Sequence, residues 1–194
     1  MIIGVVGQIA AGKGIIVNYL TGHLGFTSFS LSSIIHSELK KKGIQEFTRQ
    51  TLQDVGDELR RGYGDDVLVR RLNEVIKGQK KDRIVIEGIR NPGEIEYLKK
   101  NSNFILIGVK ANREIRFKRR LSRSKKWDPK NYSDFIKVDR RDLGVDQDRS
   151  GQHVSKCFAY CDYILTNNKD LKDFEKKIEE LFKHKLFSGG FIVK

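Results

Sequence analysis

The sequence predicts an α/β fold in which a parallel sheet of five strands lies between two layers of helices. Short runs rich in Ile, Val and Phe alternate with longer segments of helical periodicity along the 194 residues. Most of the short runs are continuously apolar, which is typical of strands that helices cover on both faces. No internal repeat or proline-rich linker interrupts the chain. We therefore predict one three-layer domain over residues 1–194.

The predicted elements follow from composition and period. Five short runs of β-branched and aromatic residues are predicted as strands: 2–6, 26–29, 83–87, 104–109 and 163–166. Seven segments carry helical periodicity: 15–24, 34–42, 48–62, 65–77, 92–100, 113–123 and 171–186. In the last helix one face, assigned to the core, carries Leu171, Phe174, Ile178, Leu181 and Phe182.

Two stretches interrupt the regular alternation of strands and helices. The first, at about 30–75, places extra helices between the second and third strands. The second, at about 124–150, is polar and irregular. We predict that both are insertions at the carboxyl edge of the sheet, where open α/β sheets bind their ligands.

The charge balance indicates a partner that carries phosphate. The chain has 38 Lys and Arg against 25 Asp and Glu, a net charge of +13. Between Lys110 and Lys126 there are nine basic residues and one acidic residue, Glu114. This stretch keeps a nucleic-acid partner open but does not favour it, because few aromatic residues that could stack on bases are interleaved with it.

Other compositional features limit the function classes. Two cysteines, Cys157 and Cys161, are too few for a disulfide framework or a four-ligand zinc site. No apolar run reaches the length that spans a bilayer, and the first residues lack the charged start of a signal peptide. We expect a cytoplasmic protein with no membrane partner.

The strongest motif lies between the first predicted strand and the first predicted helix. Residues 7–13 match the phosphate-binding pattern G-x-x-x-x-G-K, in which the backbone turns its N–H groups toward one anion and the following helix adds its positive end. Lys13 is expected to reach the β- and γ-phosphates of ATP. The ATP-binding residues predicted from this motif and its flank are Gly7, Gln8, Ile9, Ala10, Ala11, Gly12, Lys13, Gly14 and Ile15.

One position departs from the full pattern. Gly14 stands where a Ser or Thr hydroxyl would bind Mg²⁺, so direct ligation by the loop is in doubt. We expect Mg²⁺ to accompany ATP and to be held through water by Glu87, the acidic residue near the end of the third strand. The alternative is that Glu87 caps the end of its strand.

Four features together resemble the P-loop nucleoside-monophosphate kinases and the related dephospho-CoA kinases. They are the loop ending Gly-Lys-Gly, the sequence Glu-Gly-Ile-Arg at 87–90, the arginine-rich helix 113–123 and Asp-Tyr-Ile-Leu-Thr-Asn at 162–167. The resemblance spans roughly residues 1–182, and adenylate-kinase-like microbial and phage (deoxy)nucleotide kinases are the most similar group. It implies a P-loop NTPase fold with strand order 2-3-1-4-5, an acceptor-binding insertion after strand two and a lid after strand four.

The same resemblance implies site residues, most of them arginines, which bind phosphate oxygens in a bidentate manner. It implies that Arg60 and Arg90 clamp the acceptor's phosphate, and Ser32, His36 and Arg49 are further candidates for the acceptor. His36 stands where adenylate kinases carry an arginine; the alternatives are an exposed histidine at His36 and a surface salt bridge at Arg49. For the donor adenine it implies Arg116, Arg119 and Asn167. For catalysis it implies Lys13, Arg90, Arg123 and Arg141, with Arg140 as an alternative to Arg141. Spacing alone places Arg116, Arg120 and Arg123 on one helix face.

The resulting hypothesis is ATP-dependent phosphoryl transfer to a nucleoside or deoxynucleoside monophosphate. A dephospho-CoA kinase ranks second, because Gln8 and Ile9 supply no carboxylate that could act as a general base after the first strand. A nucleic-acid-associated P-loop ATPase, suggested by the basic stretch, is an alternative from another class. A nucleotide-binding module without turnover is a third alternative.

Overall fold

A computed structural model describes residues 1–79, 81–123 and 126–186. Its five parallel strands form one sheet in the order β2-β3-β1-β4-β5. They are β1 Ile2–Gly7, β2 Thr27–Ser30, β3 Ile84–Ile89, β4 Phe104–Lys110 and β5 Tyr163–Thr166. The predicted strand order is confirmed, and each predicted strand agrees with the observed one to within two residues.

The helices surround this sheet. They are α1 Lys13–His23, α2 Leu31–Lys41, α3 Arg49–Tyr63, α4 Val67–Lys77, α5 Pro92–Leu98, α6 Arg113–Arg123, α7 Tyr132–Leu143, α8 Val154–Cys157 and α9 Leu171–Glu180, the last continued by a π-helical turn, Leu181–Leu186. All seven predicted helices are present. In the described ranges no helix is long and apolar enough to cross a membrane.

Helix α7 lies in the stretch that the sequence predicted as irregular. Its end signals are ordinary: the Asn131 side chain accepts a hydrogen bond from the Asp134 N–H, and Gly144 ends the helix in a left-handed conformation. Its buried residues, however, are Phe135, Asp139 and Asp142. Because two of these three are carboxylates, the helix lacks the apolar stripe that hydrophobic periodicity detects.

The core lies on both faces of the sheet, as the continuously apolar strands predicted. Ile84 and Ile86 of β3 belong to a cluster with α2 to α5 and α8, whereas Val85 belongs to a second cluster with α1 and α9. In α9 and the turn after it, the predicted core residues Phe174, Ile178, Leu181 and Phe182 are buried, but Leu171 is exposed. Leu171 is the first residue of α9 and lies beyond the edge of the core.

A third, smaller cluster joins the segment after β1 to the insertion that follows α6. Ile9 and Ala10 pack with Phe135 of α7, and Phe117 of α6 packs against them. The residues that the sequence predicted as a phosphate loop are therefore covered on one side by α6 and α7.

Candidate active site

The loop between β1 and α1 has the backbone that the motif predicted. Gly12 has φ +111° and Ala10 has φ +58°, both in the left-handed region. A Cβ on Gly12 would lie 2.3 Å from Asn167 Nδ2, and a Cβ on Gly7 would lie 2.4 Å from the Val109 carbonyl oxygen. Both positions require glycine because neighbouring atoms already occupy the space of a side chain.

Helix α1 begins at Lys13 directly after this loop, and no side chain caps its first turn. Its first N–H groups therefore face the loop as donors, with the positive end of the helix dipole behind them. The Lys13 ammonium donates hydrogen bonds to the Gly7 carbonyl at 2.7 Å and the Gln8 carbonyl at 2.9 Å. An uncapped helix start and one cation thus lie at the same loop, an arrangement suited to binding phosphate.

Two side chains from other segments and one side chain of the loop itself hold the loop in this shape. Asn167, after β5, donates from Nδ2 to the Ala11 carbonyl at 2.9 Å. Arg116 of α6 donates from Nη1 to the Ile9 carbonyl at 3.2 Å, and Gln8 Oε1 accepts from the Ala111 N–H at 3.3 Å. These contacts fix the loop without consuming its N–H groups.

The two arginines implied for the adenine site contact protein groups. Arg116 is 1% exposed and forms a bidentate ion pair with Asp139 of α7 at 2.6 and 2.9 Å. Arg119 donates to the Asn167 carbonyl at 2.8 Å and to Asn167 Oδ1 at 3.1 Å. In this arrangement both guanidiniums connect α6 to the surroundings of the loop, and contact of Arg116, Arg119 or Asn167 with a nucleotide stays a prediction.

Arg120 was not assigned to the site from the sequence, although its spacing placed it on the face of α6 that carries Arg116. Its side chain is 5% exposed, and its Cζ lies 5.2 Å from the centroid of the Phe117 ring. Within the described residues, its Nε and Nη2 are buried and have no hydrogen-bond partner. Buried N–H groups without an acceptor are costly, so these two nitrogens suit an anionic ligand.

Glu87 lies near the carboxyl end of β3, opposite Val5 of β1, and is half-buried. Across residues 1–79, 81–123 and 126–186 we find no donor or cation bonded to its carboxylate, and no group of three or more metal-ligating side chains. A half-buried carboxylate without a protein partner fits a Mg²⁺ ion held through water, with the phosphates of ATP as its other ligands. A metal at Glu87 stays a prediction.

The guanidinium of Arg60, implied for the acceptor, is occupied by protein carboxylates. It is 1% exposed and donates to Glu94 Oε1 at 2.9 and 3.1 Å and to Asp57 Oδ1 at 3.3 Å. Glu94 is itself buried and accepts hydrogen bonds from the backbone N–H groups of Arg90 and Asn91. Arg60 thus fixes the turn after β3, and contact with an acceptor stays a prediction.

Arg49, the first residue of α3, and Arg90, which follows β3, are close enough for their charges to interact. Arg49 Nη2 bonds Asp128 Oδ1 at 2.8 Å, and Arg90 Nη1 bonds Asp142 Oδ2. Burial and, next, the neighbouring charge of Arg90 lower the pKa of Arg49. Gln53, one turn after Arg49, donates to Asp142 Oδ1 at 2.9 Å. Both acidic partners belong to the insertion after α6.

The remaining residues implied for the acceptor lie on α2. Ser32 Oγ is 2.8 Å from Ser30 Oγ, close to the end of β2. One turn later, the His36 ring lies 5.1 Å from the Phe47 ring and 5.5 Å from the Trp127 ring, measured between centroids. The structure therefore brings His36 next to the insertion after α6, which the sequence did not indicate.

The lid arginines point in different directions. Arg141 bonds Asp54 at 2.6 Å and Asp57 at 2.7 Å, both on α3. Arg140 is more exposed and lies 3.8 Å from Asp146. The side chain of Arg123 lies outside the described part of the chain. A catalytic role for Arg123, Arg140 or Arg141 stays a prediction.

The cysteines do not add nucleophilic or metal-binding groups. Burial raises the pKa of the Cys157 thiol far above its ordinary value and that of Cys161 to about 12. Both side chains are therefore protonated near neutral pH, which removes the thiolate that such chemistry requires.

Solved structures of two kinases share this fold at low sequence identity. Shikimate kinase from Bacteroides thetaiotaomicron superposes with a TM-score of 0.61 and 14% identity, covering 94% of this chain and 97% of that one. Dephospho-CoA kinase from Campylobacter jejuni superposes with a TM-score of 0.52 and 18% identity, covering 94% and 95%. At this identity the likeness shows the P-loop kinase-like fold and nothing finer.

Sequence comparison identifies relatives of nearly the same length. No family model matches the chain. A UPF0200 protein from Methanothermobacter thermautotrophicus is 28% identical over 187 residues, 94% of this chain and 90% of that protein. A UPF0200 protein from Staphylothermus marinus is 30% identical over 173 residues, 89% of this chain and 86% of that protein. With this identity over most of both sequences, the chain belongs to the UPF0200 family.

Proposed function

We propose that this protein transfers the γ-phosphoryl group of ATP to a small acceptor that already carries a phosphate, a nucleoside or deoxynucleoside monophosphate. The observation that carries the proposal is the phosphate cradle at the end of β1. There Lys13 bonds the loop backbone and α1 starts without a side-chain cap, and α6, which packs against the loop, carries two buried Arg120 nitrogens that lack a partner among the described residues. Such a set of donors and cations is what phosphoryl transfer requires.

In this proposal the loop and the residues around it have separate roles in phosphoryl transfer. Lys13 and the α1 N–H groups hold the β- and γ-phosphates, and Arg120 neutralises charge on their oxygens. Mg²⁺, which neutralises the charge of the transferred group when bound, would be held by ATP and by Glu87 through water. Arg49 and Arg90 orient the acceptor's phosphate. The insertion over the loop excludes water, which limits hydrolysis without transfer.

A second candidate is phosphorylation of a hydroxyl group, the acceptor class of a dephospho-CoA kinase. One observation favours it: Glu87 is half-buried and accepts no hydrogen bond from the residues that the structure describes, so its carboxylate could take a hydroxyl proton. Against it, neither Gln8 nor Ser32 supplies a carboxylate beside the loop. A monophosphate acceptor needs no such base, because its phosphate oxygen is already an anion at neutral pH.

The basic stretch around α6 gives less support to a nucleic-acid ATPase than its composition suggests. Arg116 and Arg120 are buried, and Arg119 is bonded to Asn167 and Lys169. Three of the nine basic residues between Lys110 and Lys126 are therefore directed into the protein. An exposed stripe of cations, which the phosphate backbone of a nucleic acid would need, is correspondingly weaker.

The test is a panel of acceptors with Mg·ATP and the purified protein. The panel contains each ribo- and deoxyribonucleoside monophosphate, dephospho-CoA, shikimate, and single-stranded DNA and RNA, and ion-exchange chromatography resolves the products. We expect one or a few monophosphates to become diphosphates. Transfer to dephospho-CoA or shikimate alone would favour the hydroxyl reaction, and ATP hydrolysis stimulated only by nucleic acid would overturn both kinase proposals.

A further inference from the structure

Polar pairs join the insertion after α6 to the acceptor side of the molecule. We call residues 126–153 the lid segment, and Arg49 and Arg90 the clamp arginines. The lid segment supplies the carboxylates of both clamp arginines, Asp128 for Arg49 and Asp142 for Arg90. The Arg49 backbone N–H also bonds the Trp127 carbonyl at 2.8 Å. The lid segment is therefore attached to the same guanidiniums that an acceptor phosphate would need.

Two buried polar atoms beside these pairs have no hydrogen-bond partner among the described residues. Gln53 is 1% exposed, and its Oε1 has no hydrogen-bond partner among the described residues. On the same helix face, Arg49 Nε is buried and equally lacks an acceptor. Buried polar atoms normally find partners, and each that does not carries a cost. The unused donor Arg49 Nε, beside a second cation, is the atom of this pair that an anionic ligand could bond.

We propose that Asp128 and Asp142 occupy the clamp arginines in place of the acceptor's phosphate, so that acceptor binding and this contact of the lid segment compete. The inference rests on the proposed function, because it takes the ligand of the clamp arginines to be the phosphate of a small acceptor. It extends that function by giving the lid segment an acceptor-dependent position.

The chemistry of the two anions favours exchange. A guanidinium binds a carboxylate and a phosphate through the same planar fork of donors. One phosphate group can accept hydrogen bonds from both clamp arginines, Arg49 Nε included, whereas among the clamp arginines Asp128 pairs with Arg49 and Asp142 with Arg90. Exchange then removes Asp128 and Asp142 from the clamp arginines and loosens this end of the lid segment, while the pairs of Arg141 with Asp54 and Asp57 still connect it to α3.

The chain contains a built-in probe of this exchange. Trp127 is its single tryptophan, is adjacent to Asp128, and lies 5.5 Å from the Phe47 ring and 5.5 Å from the His36 ring. These rings belong to the acceptor side, and Trp127 belongs to the lid segment. Separation of the two therefore changes the surroundings of one indole, which tryptophan fluorescence reports without any turnover.

The experiment titrates inorganic phosphate into protein whose loop is first saturated with Mg·ADP, and reads the midpoint of the change in Trp127 emission. The variants are Asp142→Asn and Asp128→Asn, which keep side-chain volume but remove the competing charge. The matched control is Asp146→Asn, on the same lid segment, where the Asp146 side chain is 89% exposed and its φ of +58° suits asparagine.

We expect phosphate to change the emission of the wild-type protein and each buried-site variant to lower the midpoint, with no change in the control. A contact formed nine-tenths of the time raises the apparent dissociation constant about tenfold, so its loss lowers the midpoint by about that factor. A midpoint that is unchanged or raised in Asp142→Asn would overturn the inference, because a residue that only supports Arg90 weakens phosphate binding when altered.

Two controls keep the result interpretable. Circular dichroism melts establish that each variant folds, and if Asp142→Asn does not, Asp128→Asn alone decides between competition and support. The fluorescence midpoint is independent of the acceptor panel. Tighter phosphate binding in the variants without any phosphorylated acceptor would uphold the competition and reject the proposed function. Transfer to a monophosphate with unchanged midpoints would reject the competition alone.

Discussion

The proposed donor and acceptor sides of this protein differ in how their charged groups are satisfied. Around the loop, helix α1 has no side-chain cap, and Arg120 carries buried nitrogens without partners within the described ranges. On the acceptor side, the guanidiniums of Arg49, Arg60 and Arg90 are each paired with a carboxylate. The proposed donor side thus has unused N–H groups that an anion could bond, whereas the arginines of the proposed acceptor side are already paired with carboxylates.

This difference has a physical origin. The donor site is made from a continuous segment whose backbone N–H groups cannot be neutralised by a side chain without filling the loop. The acceptor site is made from long side chains on separate elements, and such side chains are stable when buried only if they are paired. A site of the second kind must exchange partners to bind substrate, which couples binding to movement of the segment that supplies those partners.

The largest effect is expected from a substitution that breaks an ion pair next to the loop. Asp139→Ala leaves Arg116 buried without its carboxylate, and we expect the free energy of unfolding to fall by about 3–5 kcal/mol. Urea denaturation measures this, with Asp146→Ala, an exposed residue of the same lid segment, as the control. If Asp139→Ala loses no more stability than the control, the ion pair does not support the loop.

A smaller effect tests the unpartnered cation on the donor side. Arg120→Met keeps most of the side-chain volume but removes the charge, and we expect Mg·ATP affinity to fall by about 1.5–3 kcal/mol, the range for hydrogen bonds to charged groups. The melting temperature should not fall, because no partner is left behind. Calorimetric titration measures the affinity, with Lys118→Met on the exposed face of α6 as the control. Loss of stability with unchanged affinity would make Arg120 a structural residue.

The smallest effect is expected from a substitution that restores the hydroxyl that the loop lacks. A Cβ on Gly14 meets no heavy atom within 4 Å, so Gly14→Ser fits and supplies a direct Mg²⁺ ligand. We expect a several-fold lower magnesium requirement for ATP binding. The control is Gly22→Ser, also in α1 and equally open, because both variants gain the same few tenths of a kcal/mol in helix propensity. Equal magnesium dependence in both variants would place the metal away from Gly14.

The sequence predicted the fold and the donor loop because both depend on local patterns. Continuous apolar runs identified the strands, and the spacing of Gly7, Gly12 and Lys13 identified the loop. The pattern also placed Arg120 on the correct helix face, yet its lack of a partner depends on tertiary packing. Helix α7 was missed because its buried face carries Asp139 and Asp142, whose partners lie on other elements.

The acceptor side was less predictable for the same reason. Arg49, Arg60 and Arg90 were identified as candidates. Asp57 is a local partner of Arg60, but the carboxylates of Asp128, Glu94 and Asp142 are 34 to 79 residues away from their arginines in sequence. A local sequence pattern cannot predict ion pairs between residues that are so far apart in the chain. The proximity of His36 to Trp127 is likewise a product of the lid segment folding back over α2 and α3.

The most direct test of the central claim compares the wild-type protein with Lys13→Ala in a transfer assay using γ-labelled ATP and the monophosphate identified by the panel. Lys118→Ala serves as the control for loss of a lysine. We predict that Lys13→Ala retains its melting behaviour and loses transfer by about 100-fold or more, the cost of removing a group that stabilises transition-state charge. Transfer at the wild-type rate in Lys13→Ala would contradict the assignment of this loop as the site of phosphoryl transfer.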